Sequence, residues 1–161
     1  MYLNALEFLE EERDAWRPYE ALANVPDDRL DIAVEGAHGW SARDLIGHLV
    51  AWQEYALATA RELAVGERSA TKERLDEEWD RRGDAINAGI EAEWRALPVE
   101  EVRRRLTTVP GELRGYLTVV PETRWIKNDE YLRYFLDETI EHYAEHAGDL
   151  EAVLAAAAAD E

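Results

Sequence analysis

The sequence predicts an all-α fold, a four-helix bundle with an extra helical segment between its second and third helices. Two observations carry that expectation. Apolar residues recur along the chain at a period near 3.6, and alanine, leucine, glutamate and arginine dominate the composition. The 161 residues suit a single domain, 1–161, large enough to bury its own core.

The first helix runs from about Asn4 to Ala23, with Leu6, Phe8, Leu9, Ala15, Trp16, Tyr19 and Leu22 at helical spacing. Asn4 is its cap, with Glu7 three residues on. Pro18 should kink it or end it locally, because proline has no N–H and crowds the preceding turn. Val25-Pro26-Asp27-Asp28 breaks the pattern, and Arg29 to Gly39 reads as an irregular, rather long connection.

Ser41 and Asp44 form a capping-box start for the second helix. It continues to about Val65, carries Leu45, His48, Leu49, Trp52, Thr59 and Leu63 on its inward stripe, and stops at Gly66. The extra segment, from about Lys72 to Ala96, is less regular and includes Ile86, Asn87, Ile90 and Trp94. Pro98 in a first turn, followed by Glu100 and Glu101, opens the third main helix. Its apolar face is Val102, Leu106, Leu113, Leu117 and Val120, with a break expected near Pro110-Gly111. Pro121 to Lys127 is a loop. Asn128 or Asp129 caps the last helix, which should run unbroken to about Ala157.

Several function classes are excluded early. There is no cysteine, so thiolate ligands, disulfides and a cysteine nucleophile are out, and any metal must be held by nitrogen and oxygen. Acidic residues number 36 against 18 basic, a net charge of −18, which opposes binding to nucleic acid or an anionic membrane. Met1 to Arg17 lacks the basic and apolar regions of a signal peptide, and no run is long and apolar enough to span a bilayer. The expected location is the cytoplasm.

The chemistry concentrates in three histidines. His142 and His146 are four residues apart on the last helix, so their side chains are neighbours. Their register with Phe135, Leu150 and Leu154 puts them on the buried stripe. His48 points inward from the second helix. Three converging imidazoles suit zinc, nickel, copper or iron and leave a position open for water or substrate. The plainer alternative is three partly buried histidines hydrogen-bonded at a helix interface. His38 reads as a solvated loop residue, and Glu145 and Asp149 as solvated flanks. Asp44 and Glu138 each lie one turn before a histidine and are candidates to orient it, although capping already accounts for Asp44. Trp52, Tyr55, Tyr131, Tyr134 and Asn87 are pocket candidates, set against the commoner fate of aromatics as plain core.

The stretch Trp40-Ser41-Ala42-Arg43-Asp44-Leu45-Ile46-Gly47-His48-Leu49-Val50-Ala51-Trp52 resembles the second-helix signature of the DinB/YfiT-like metalloenzyme family. His142-Tyr143-Ala144-Glu145-His146 resembles that family's closing motif. The resemblance implies an up-down-down-up bundle holding a divalent metal, most often zinc or nickel, on His48, His142 and His146. It further implies a homodimer and a small-molecule substrate. Some members are transferases or isomerases dependent on a low-molecular-weight thiol, mycothiol or bacillithiol, and they include the N-terminal domain of maleylpyruvate isomerase. Asp84-Ala85-Ile86-Asn87-Ala88-Gly89-Ile90 is similar to that domain's middle region, but His142 stands where it has glutamate. Trp125, Tyr131, Thr139 and His142-Tyr143 are similar to the last helix of the ClbS/DfsB family, which includes a self-resistance hydrolase. The leading expectation is thus a metal-dependent, thiol-using S-transferase. The alternatives are a ClbS/DfsB-like hydrolase of a reactive small molecule, or a non-catalytic metal-binding stress-response module.

Overall fold

Capping side chains decide where most of the helices begin. α1 (Ala5–Trp16) opens on Asn4, whose Oδ1 accepts the Glu7 N–H at 3.0 Å. α2 (Ala42–Val65) opens on a complete capping box: Ser41 Oγ accepts the Asp44 N–H at 3.1 Å and Asp44 Oδ2 accepts the Ser41 N–H at 3.0 Å. α3 (Ala70–Ala96) is capped by Ser69 and α5 (Asp129–Glu138) by Asn128. α4 (Val99–Val119) begins directly after Pro98, which has no N–H to leave unpaired. The chain continues through α6 (Ile140–Glu145) and α7 (Ala147–Ala158). These elements are those of a computed structural model that describes residues 2–159; Met1, Asp160 and Glu161, the ends of the expected domain, lie outside the described residues. No strand forms among the described residues, and no helix is long and apolar enough to cross a membrane.

The expected turning points hold in most places. At Pro18 the α-helix gives way to a 3-10 helix, Arg17–Asn24. The long connection after Pro26 is packed rather than loose: Leu30 and Ala37 are fully buried, and 3-10 turns form at Asp27–Arg29 and Glu35–Ala37. His38 and Gly39 adopt positive φ angles of 58° and 83°, turning the chain into Trp40. Gly66 ends α2 in an extended conformation, φ −154°, not the left-handed one.

Two expectations about helix continuity fail. α4 runs straight through Pro110, whose ring is buried beside Val109 and Leu113. Packing there outweighs the one backbone bond the proline removes. The last helix, expected to be continuous, is interrupted at Thr139 and at His146. Thr139 adopts φ −125°, ψ −96°, and its Oγ1 donates to the Phe135 carbonyl at 2.6 Å. Such side-chain competition for a backbone acceptor is a known way to disturb a helix. His146, at φ −100°, ψ 8°, donates its N–H to both His142 and Tyr143 carbonyls.

The apolar core falls into two clusters. One gathers Trp16, Leu45, Leu49, Trp94, Leu106 and Tyr143, and the other Phe8, Ala60, Leu113, Trp125 and Phe135. Where they meet along α1 and α2 lies a buried polar network. Glu12, 1% exposed, accepts from Arg114 Nε at 2.5 Å and from the Tyr143 hydroxyl at 2.7 Å, and Gln53 Nε2 donates to the same hydroxyl at 2.8 Å. α2 and α3 approach closely at Gly47, where a Cβ would meet the Trp94 ring at 2.6 Å. That contact lets the helix carrying His48 sit tight against α3.

Candidate metal centre

The three inward histidines come together. One ring nitrogen of each of His48, His142 and His146 lies within 4.8 Å of the others, a group that could hold a metal ion. His142 is 9% exposed, while His48 and His146 are half-buried. His48 comes from α2, His142 from α6 and His146 from the joint before α7, so the pair expected on one regular helix in fact straddles a break.

The proton bookkeeping favours a cation. Asp149 Oδ2 lies 2.9 Å from His146 Nδ1. A carboxylate only accepts, so Nδ1 carries the hydrogen and the Nε2 lone pair is left for the centre. His48 Nε2 and His142 Nε2 face each other at 2.9 Å. Burial, then the neighbouring imidazoles, lowers His142 to about 3; burial, then His146, lowers His48 to about 4. Both rings are neutral at pH 7, the form that ligates. Nitrogens around a tetrahedral zinc sit about 3.3 Å apart for bonds of about 2.0–2.1 Å, a spacing that the observed 2.9 Å contact and 4.8 Å span bracket. The residues therefore fit a divalent ion. His142 Nδ1 is buried with no hydrogen-bond partner among the described residues.

Trp40 closes one side, its ring stacked on His146 at 5.4 Å between centroids and tilted against His48 at 4.9 Å. The other side opens into a groove of about 650 Å³ between α2, α3 and α5, in which the three histidines share the lining with Trp52, Asn87 and Glu138. Burial, and then the nearby Asp137 and Glu145 carboxylates, pushes Glu138 up to about 8, so it keeps its proton at neutral pH.

The other sequence candidates sort cleanly. Trp52 donates Nε1–H to Asn87 Oδ1 at 3.1 Å, so both pocket candidates are fixed to one another at the groove wall. Tyr134 lines the groove as well. Tyr55 does not: it lines a separate depression between α2, α3 and α4. Tyr131 accepts the Ser69 N–H at 2.8 Å and pins the start of α3. Asp44 is held by its cap and by Arg95, at 2.9 and 3.1 Å, and orients no histidine. Among the described residues no hydrogen bond joins Glu138 to His142; both line the groove. His38 is 85% exposed, as expected, with Nδ1 at 2.9 Å from Asp149. Asp149 itself, expected in solvent, is 6% exposed and is the residue that orients His146. Its spacing three residues after His146 was the available signal. Trp40, next to a cap, gave none.

No family model, curated protein or solved structure matches the chain. The functional reading rests on this geometry and on the motif resemblance.

Proposed function

We propose that the chain is a divalent-metal-dependent enzyme of the DinB-like kind, transferring a low-molecular-weight thiol to small electrophilic molecules. The observation that carries it is the meeting of His48, His142 and His146 at the inner end of an open groove. Those three side chains would hold zinc or nickel. A bound divalent ion supplies Lewis acidity, bringing the pKa of a thiol or water that reaches it toward neutrality. The chain's residues do the rest. Asp149 holds the His146 tautomer, and Trp40 shields the cluster from solvent. Glu138 carries a proton at neutral pH and is placed to deliver it to a leaving group along the groove. The up-down-down-up helix order, the cytoplasmic setting and a homodimer belong to the same proposal and rest on sequence reading alone.

Hydrolysis is the second reading, favoured by Glu138, since a carboxyl poised near neutral pH serves water as readily as a thiol. A purely structural ion fits less well, because a closed shell would leave no position facing a groove. Protein prepared without a histidine tag should contain one metal per chain and lose it in both His48→Ala and His146→Ala. Unchanged metal content in the two variants removes the site. Metal-loaded protein should consume a small thiol in the presence of an alkyl halide or epoxide and stop on chelation; turnover of the electrophile without thiol consumption selects the hydrolase.

A further inference from the structure

The charge and aromatic content of the groove specify its ligand more narrowly than "small electrophile", provided the histidine cluster is the reaction centre as read above. Six carboxyl groups line it, those of Asp76, Asp80, Glu130, Asp137, Glu138 and Glu145; with Glu138 holding its proton, five carboxylates stand against two cations, Lys72 and Arg133. Both cations are already engaged. Lys72 bridges Asp76 at 2.7 Å and Glu130 at 3.0 Å, and Arg133 bridges Asp137 and Glu141. An entering anion would meet excess negative charge and cations already neutralised.

The walls supply aromatic surface. Trp79 is 45% exposed and stands edge-on to Trp52, with centroids 5.5 Å apart and an interplanar angle of 82°. It lies over Gly83, where a Cβ would come within 3.3 Å of its ring, so the indole rests on bare helix. The Trp52 N–H is used by Asn87, so the small part of this buried side chain that lines the groove offers it no free donor. A cation over an aromatic ring already occurs in this lining: Lys72 Nζ lies 5.8 Å from the ring centre of Tyr134.

We propose that the groove binds a cationic amphiphile, an amine or quaternary ammonium of about aromatic size. Its apolar body lies against Trp52, Trp79 and Leu75 and its charge toward Asp80 and Glu145, the lining carboxylates that no groove cation bridges, with its far end toward the three imidazoles. Carboxylates and aromatic faces together recognise such a ligand, and neither alone separates it from a neutral or anionic analogue.

A charge series on one skeleton tests this: 2-naphthylethylamine, the matching naphthyl alcohol and the matching naphthyl carboxylate, titrated calorimetrically into the full chain with EDTA and again with one equivalent of zinc. The amine should bind one per chain in both forms, at least ~10-fold tighter than the alcohol, with the carboxylate weakest and the preference shrinking as salt is raised. Asp80→Asn/Glu145→Gln should erase most of that preference, while Trp79→Ala should weaken amine and alcohol alike. Alcohol or carboxylate binding as tightly as the amine, no binding by any probe, or an amine preference untouched by both variants overturns the proposal. The wild-type series needs no variant to fold. Amine preference in the EDTA arm without zinc uptake supports the groove while sinking the metal reading; stoichiometric zinc without amine preference sinks the groove alone.

Discussion

His142 and Tyr143 are adjacent on the same short helix, and they end in opposite kinds of polar environment. The Tyr143 hydroxyl accepts from Gln53 and donates to Glu12, and its backbone carbonyl accepts the Tyr19 hydroxyl at 2.5 Å. His142 has one nitrogen turned toward two other imidazoles and the other nitrogen unpaired. Burying polar groups is costly unless they are hydrogen-bonded. The network around Tyr143 nearly meets that demand, leaving only a loose end at Gln53 Oε1 among the described residues, and so it holds the bundle. The cluster around His142 leaves a buried ring nitrogen unpaired among the described residues and turns three imidazoles on one another, and so it is suited to hold something else.

The comparison breaks most sharply at Glu12. Glu12→Ala strands Arg114 and the Tyr143 hydroxyl and should cost about 3–5 kcal/mol in urea unfolding of the metal-free protein; a loss below about 1 kcal/mol would mean the network is not what holds α1. Asp149→Asn acts on the other side. It should weaken metal binding about 10–100-fold in a competition titration, with only about 1 kcal/mol lost in stability. If the two variants change stability equally and neither changes metal affinity, the division of labour is wrong.

Gly47→Ala probes the tie between scaffold and site. Its new Cβ would press on the Trp94 ring and Cβ, costing about 1–3 kcal/mol, and because His48 is the next residue, metal affinity should fall with it. Unaltered melting and affinity would show that α2 and α3 part easily. Glu138 sharpens the contrast through pH. Its carboxyl sits at about 8 in the fold against an ordinary 4.5, so the unfolded chain releases the proton first, and stability is lost as pH rises from 4.5 through 8. Glu138→Gln should therefore raise the melting temperature by roughly 10–15 °C at pH 9 and leave it unchanged at pH 4.5. An equal change at both pH values would place that carboxyl in water.

How much of this was legible in the sequence follows the same divide. Caps are local chemistry, and Asn4, Ser41-Asp44 and Asn128 each begin a helix where their side chains say they should. Helical periodicity placed His48, His142 and His146 inward, and they meet. What it could not show was the break at Thr139 and His146, which depends on a threonine hydroxyl competing for a carbonyl within its own turn. Nor could it show that Pro110 would stay helical, since burial against other elements decides that. Asp44 caps α2 as its spacing from Ser41 says, but its pairing with Arg95, and the bond that takes Tyr131 to Ser69 instead of the pocket, depend on the packing of α3, which is tertiary information. The acidic, aromatic groove was hidden in the charged stretch of α3, whose residues gain meaning only opposite α5.

The most direct measurement is X-ray absorption at the zinc edge on the full chain, prepared without a tag and loaded with one equivalent of zinc. Three imidazole nitrogens at about 2.0–2.1 Å and one further light ligand that changes when a small thiol is added are the expected result. Zinc that binds with fewer than three imidazoles, or that fails to bind stoichiometrically, would contradict the convergence of His48, His142 and His146 on a single ion.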